Sequence, residues 1–293
     1  MLNSEISIKK NQGIAAKELL KSAFFFSLMS VCVKQVGDNI PIAQLVLLRA
    51  LVSLIITRYL LIKERISPWG ANKLLLIIRG FVGTGALFCI FNAISSLPLS
   101  IATIIQYTYP TFTVIVSWAI LREKTNKYIF LAIAIGWIGI LITVNPTGFN
   151  TFDNSFPVKS IIIAIVGAIL TSIAYVIVRK LSKAEHPLVI IYYFPLISIP
   201  ITIPFILNDF VIPSENDWLW IIGIGLFTQL GQLSITKGLK LMSASKATSI
   251  NYVQVLFATF WGIAIFGESL TSNVALGGLL VLASTLISIK SQS

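Results

Sequence analysis

Arg49 lies about eight positions inside an uninterrupted apolar stretch, and no Asp or Glu occurs at a similar depth to balance it. A guanidinium placed there either clamps backbone carbonyls or holds an anion brought from outside the chain. Arg79 occupies the next apolar stretch, nearer one of its ends. Other polar side chains recur at helical spacing. Ser27, Ser30 and Lys34 follow i, i+3, i+7, and Ser172, Tyr175 and Arg179 repeat that pattern 145 residues later. Gln106, Tyr109 and Thr113 share a stripe, matched in the second half by Asn251 and Gln254. Gln229 with Gln232, and Thr84 with Phe88 and Asn92, supply two further polar faces. Amides, phenols and cations converging among apolar residues describe a cavity for a small molecule, although the same types also hydrogen-bond helices to one another. The candidate binding residues are thus Ser30, Lys34, Arg49, Arg79, Phe88, Asn92, Gln106, Tyr109, Tyr175, Gln229, Gln232, Asn251 and Gln254.

The chemistry that is missing narrows the function. His186 is the only histidine, and neither the histidine nor the two cysteines form a metal-binding pattern. No metal or other cofactor is expected. Cys32 and Cys89 lie in apolar runs, where cysteine acts as a small hydrophobe. None of the eleven acidic residues falls near the centre of an apolar run. Proton-coupled carriers commonly use a buried carboxylate, so uniport or exchange is the better expectation. A membrane enzyme needs a nucleophile, an acid pair or a metal cluster, and a channel needs a filter or a ring of like residues; neither pattern is present in the sequence.

The elements that must hold these residues are set by composition. Hydrophobic residues make up 56% of the 293 positions and charged residues 11%, with a mean hydropathy of +0.89. A soluble domain keeps roughly a quarter of its residues charged, so lipid must be the solvent. Ten apolar runs are long enough to span: 19–37, 41–62, 73–95, 99–121, 127–145, 158–179, 187–207, 217–237, 244–266 and 271–289. Four lysines precede the first run without an A-x-A-like cleavage site after it, so it is read as a retained helix behind a short, frayed cytoplasmic tail, 1–18.

Charge tests the count. With the N-terminus inside, 17 of the 22 basic residues fall in cytoplasmic segments, while the outer loops carry Asp38, Asp153, Asp209, Glu215, Asp217 and Glu268. That is the positive-inside pattern, and it accounts for the net charge of +11 without a nucleic-acid partner. The expected architecture is all-α and integral to the inner (plasma) membrane, with ten spans and both termini cytoplasmic.

The halves also repeat. Ser100, Ala102, Thr103, Ile105 and Tyr107 reappear 145 residues on as Ser245, Ala247, Thr248, Ile250 and Tyr252, and Glu123 reappears as Glu268. An odd number of spans per half turns the second half upside down, as in many secondary transporters. The predicted units are a five-helix half over 19–145, an extracytoplasmic linker over 146–157 and a second half over 158–290. The paired glutamates end the fourth and ninth runs, where each can bond local backbone or a nearby cation in a hinge or packing role.

The chain resembles the drug/metabolite transporter superfamily, in particular its EamA-type ten-helix members. The resemblance rests on Leu48-Arg49, Ile78-Arg79-Gly80, Leu97-Pro98-Leu99-Ser100-Ile101-Ala102-Thr103, Tyr109-Pro110 and Leu121-Arg122-Glu123. In the second half it rests on Ala244-Ser245-Lys246-Ala247-Thr248, Phe266-Gly267-Glu268 and Gly277-Gly278. It covers about 20–290. Val255 stands where the family often has the proline that Pro110 supplies, which argues against equal hinging of the fourth and ninth helices. The resemblance implies a central cavity lined by helices one, three, four, six, eight and nine, and alternating access by rocking of the halves. It implies export or exchange of amino acids or similar zwitterionic or anionic metabolites; S-adenosylmethionine, nucleotide-like compounds and drugs are the other substrate classes of the superfamily. The expected partners are that small-molecule substrate and the lipid bilayer, with the chain a monomer or homodimer.

Overall fold

Lipid offers no water to peptide groups, so a spanning chain must satisfy its backbone within each segment. In the computed structural model, which describes residues 2–37, 39–122, 128–144, 157–207, 209–251 and 253–290, every regular element is an α-helix. In chain order these are α1 (Leu2–Val36), α2 (Ile42–Lys63), α3 (Lys73–Ser96), α4 (Leu99–Gln106), α5 (Tyr109–Leu121), α6 (Tyr128–Val144), α7 (Val158–Leu181), α8 (Pro187–Ile206), α9 (Glu215–Leu241), α10 (Ala244–Ile250), α11 (Val253–Phe266) and α12 (Ser272–Lys290). Sequence punctuation sets the ends. Pro41 and Pro98 precede α2 and α4. Asn72 accepts from Leu75 N at 3.2 Å to start α3, and Ser214 with Asp217 forms a capping box on α9.

Among the described residues eight segments are long and apolar enough to cross a membrane. The fifth and tenth runs are helical as well, α6 over 17 described residues and α12 with a short apolar stretch over Ser272–Ser284. Two expectations need correction. Residues 2–18 are not a frayed tail, because α1 runs back to Leu2 without interruption. The fourth and ninth runs are each broken, between α4 and α5 and between α10 and α11. Pro110 explains the first break, since it lacks the N–H that would bond to Gln106 one turn back. The second break needs no proline. At Asn251 the chain restarts with a tight bond from Gln254 N to Asn251 O at 2.9 Å, much as Thr111 N bonds Thr108 O at 3.0 Å. The ninth run is therefore broken at the place that matches the break in the fourth, with no proline at Val255.

Packing joins the two halves of the sequence. α1 lies against α9, α3 against α7, α2 against α8, and α6 against α12. Glycines on α9 make the first of these contacts close. A β-carbon at Gly238 would meet Leu19 at 2.6 Å, one at Gly231 would meet Phe26 at 2.8 Å, and one at Gly223 would meet Cys32 at 2.9 Å. The two sequences run in opposite directions through these contacts, so α1 and α9 are antiparallel. Without a hydrophobic drive between helices in lipid, such small-residue seams supply the packing contact. Large apolar side chains such as Ile55, Leu141, Leu219 and Leu279 are instead exposed on the outer flanks, where lipid covers them.

Candidate functional site

The most costly groups lie together in the interior. Arg49 of α2 and Arg79 of α3 are each 2% exposed. Both rest on the Phe194 ring of α8, with guanidinium carbons 4.5 and 4.7 Å from its centroid, a cation–π arrangement. α9 supplies the polar partners. Arg49 Nε donates to Thr228 Oγ1 at 3.2 Å, and Arg79 Nη2 donates to Gln232 Oε1 at 3.3 Å. Beside them Gln229 Nε2 donates to Thr57 Oγ1 at 2.8 Å. Thr228 falls at the middle of α9, far from either helix end. Neither guanidinium meets a carboxylate: among the described residues the ion pairs are Lys21–Glu18 and His186–Glu64. Arg49 Nη1 and Arg79 Nε and Nη1 are buried without a hydrogen-bond partner.

An aromatic path leads from this pair to the helix breaks. Tyr175 of α7 is within electrostatic reach of both guanidinium groups, and its ring packs edge-on against Tyr109 at 5.5 Å. Tyr109 in turn lies 5.1 Å from Tyr107, whose hydroxyl donates to Gln254 Oε1 across to α11. Asn251, at the second break, is 1% exposed with neither amide atom paired. Cations, phenols and amides from α2, α3, α5, α7, α9 and α11, with Tyr107 and Asn251 at the two breaks, thus form one mostly buried polar system.

The other expected residues sit elsewhere. Ser30 bonds its own helix, donating to Phe26 O at 3.0 Å. Lys34 Nζ donates to Leu97 O at 2.7 Å, tying the end of α1 to the end of α3. Arg179 makes the corresponding tie in the second half, with Nη1 donating to Leu239 O at 2.8 Å and Lys240 O at 3.0 Å at the end of α9. Phe88 is half-buried and pairs with the exposed Phe205 at 6.0 Å, so it faces away from the arginines. Asn92 and Gln106 are half-buried, and no recorded bond links their side chains to the cluster. Phe194, Thr228, Thr57 and Tyr107 were not among the candidate binding residues read from the sequence. Phe194 had no signal within the apolar run around it; in the structure Gly83, one turn after Arg79, makes room for both groups, since a β-carbon there would strike Arg79 Nη1 and approach Phe194 to 2.8 Å. A separate cavity of about 460 Å³, lined by Gln35, Asn39, Ser214, Asn216, Asp217, Leu219 and Trp220, opens near the ends of α1 and α9 and does not reach the arginines.

Helical in every regular element of its described residues, lipid-flanked and polar within, the chain is a multi-pass protein of the plasma membrane. Residues 18–145 and 158–290 each match the EamA-like transporter family. The chain belongs to that family, within the drug/metabolite transporter superfamily, and is a membrane transporter. It is similar to the pseudopaline exporter CntI of Pseudomonas aeruginosa, with 26% identity over 261 residues, covering 89% of this chain and 90% of the exporter. It is also 30% identical to human solute carrier family 35 member G1 over 285 residues, covering 93% of this chain and 78% of the carrier. An uncharacterized transporter of Helicobacter pylori is 27% identical over 284 residues, covering 92% of each. A crystal structure at 16% identity shares the fold with a TM-score of 0.71, covering 93% of this chain and 95% of that one.

Proposed function

We propose that the chain is a secondary transporter that moves a small metabolite, an amino acid or a related zwitterionic or anionic compound, across the inner membrane in export or exchange. Alternating access is the mechanism: two inverted five-helix halves, 19–145 and 158–290, rock about the buried cluster. The carrying observation is that both sequence halves contribute to that cluster beside paired helix breaks, the place where discontinuous helices of secondary transporters hold their substrates. The helix pairing supports the two-fold relation. α1 and α7 correspond by the 145-residue offset, as do α3 and α9, so the contacts α1–α9 and α3–α7 are each other's counterparts. The basic loops put both termini in the cytoplasm, with α6 and α12 completing ten spans. Arg49, Arg79, Tyr109, Tyr175, Gln232, Asn251 and Gln254 line the binding site, whereas Lys34 and Arg179 act at its two mouths.

The test is a metabolite-library thermal-shift screen on the purified chain, followed by counterflow of the radiolabelled hits in proteoliposomes. A carrier gives trans-stimulation with the compound unchanged. Flux without trans-stimulation points to a channel, and a chemically altered compound to an enzyme.

A further inference from the structure

We infer that Arg49, Arg79 and the Phe194 ring between them form a subsite for two negative charges, so that the substrate is a small organic dianion, a dicarboxylate or a phosphate monoester. This rests on the transporter reading and specifies its substrate class. The two guanidinium carbons share one ring at 4.5 and 4.7 Å, which bounds their separation at about 9 Å, and in a low-dielectric interior like charges at that range repel. A chain holds such a pair only if something offsets it. Phe194 contributes its electron-rich face and Tyr175 its phenol dipole, but both groups are neutral. The described carboxylates are engaged or remote: Glu18 pairs with Lys21, Glu185 accepts from Asn72 N, Asp217 caps α9, Glu268 accepts from Leu99 N and Ser100, and Glu64, Asp209 and Glu215 lie at helix ends or in loops.

The donors point to the same answer. Arg49 and Arg79 each give one hydrogen bond to a neutral oxygen, on Thr228 and Gln232, and keep Arg49 Nη1, Arg79 Nε and Arg79 Nη1 unspent. A planar guanidinium with open donors matches carboxylate or phosphate oxygens in geometry as well as charge. One monoanion would leave the second cation uncompensated, whereas two negative charges on one molecule neutralise both. An anionic lipid headgroup is the wrong source, since each arginine is 2% exposed and enclosed by α3, α8 and α9 rather than facing the bilayer.

Equilibrium binding of labelled succinate, glycerol 3-phosphate and leucine to the purified full chain tests this, with Arg49→Gln, Arg79→Gln and Arg79→Lys beside it. The expected result is binding of succinate or glycerol 3-phosphate at least tenfold tighter than leucine. Each Gln variant should lose at least tenfold, with partial recovery in Arg79→Lys, and the ligand-free Tm should hold or rise because an uncompensated charge has gone. If succinate binds and glycerol 3-phosphate does not, the dianion is a dicarboxylate; the converse makes it a phosphate ester. Preference for leucine overturns the subsite, as does dianion binding unchanged in both Gln variants. Counterflow of leucine without dianion recognition sinks the subsite and leaves the transporter standing. Dianion binding that depends on both arginines but gives no counterflow does the reverse.

Discussion

Gly83 is where a single hydrogen matters. Its missing side chain leaves the space that Arg79 Nη1 and the Phe194 ring occupy, so a methyl there must push one of them away. Overpacking of this kind costs about 1–3 kcal/mol, and here the displaced group is a buried cation that cannot move to water. Gly83→Ala should lower the Tm of the purified chain by several degrees and weaken binding of any substrate that Arg79 holds, both read from thermal unfolding with and without ligand. Phe194→Leu keeps the apolar volume but removes the ring face. A desolvated cation–π contact is worth about 2 kcal/mol, so this variant should also unfold at lower temperature. The two arginines were legible in the sequence because a charge inside an apolar run is costly, about 2.5–3.5 kcal/mol at a helix centre on insertion scales. Phe194 and Thr228 were not, because a phenylalanine or threonine in a membrane helix costs nothing that marks it out. Only the three-dimensional packing tells which of 18 phenylalanines meets the cations.

A helix start in lipid exposes N–H groups that have no partner within the helix, and α4 begins with that problem. Glu268 solves it from the other half of the sequence. Its carboxylate accepts from Leu99 N, from Ser100 N at 3.1 Å and from Ser100 Oγ at 2.7 Å, with the dipole of α4 favouring the negative charge. Gly267, at φ +63°, turns the chain after α11, and Gly262 leaves the space that the carboxylate fills. Glu268→Ala would strand these donors and should destabilise by about 1–3 kcal/mol; Glu268→Gln, which keeps one acceptor, should fall between. Combined with Ser100→Ala, the loss should be less than additive, because both changes remove one shared bond. Thermal unfolding of the four proteins gives that coupling directly. The sequence placed Glu268 at a helix end in a hinge or packing role, and in the structure it caps the start of α4; its counterpart Glu123 lies outside the described residues. It could not show that the partner is the start of α4 across the repeat. The ninth-run break was not expected for a related reason: proline is one cause of a break, and the helix stops at Ile250 and restarts at Val253 without one.

Over the molecule as a whole, the apolar runs marked where the helices lie, but not which helices touch. Apolar periodicity marks a buried face without naming its neighbour, so the α1–α9 seam on Gly223, Gly231 and Gly238 emerged only from the fold. Topology itself is checkable. In a background where Cys32 and Cys89 are replaced by alanine, Ile212→Cys, at an 85% exposed site in the loop before α9, should react with an impermeant maleimide in intact cells. Trp69→Cys, 61% exposed between α2 and α3, should react only after the membrane is opened. The same framework sets opposite effects for the two cationic ties. Lys34 holds α1 to the end of α3 on the Ile212 side, and Arg179 holds α7 to the end of α9 on the Trp69 side. Both ties are made here, and Arg49 and Arg79 are each 2% exposed. Each tie removed should free one mouth alone, by an amount set by its charge-assisted bonds to backbone carbonyls, about 1.5–3 kcal/mol per bond. A cysteine introduced at Gln106, half-buried at the first break, reports which mouth opens. Lys34→Gln should raise its labelling from outside by tenfold or more, and Arg179→Gln should raise labelling only from the cytoplasmic side of inverted vesicles. Equal increases from both sides in either variant would mean that the ties stabilise the fold generally and do not gate access.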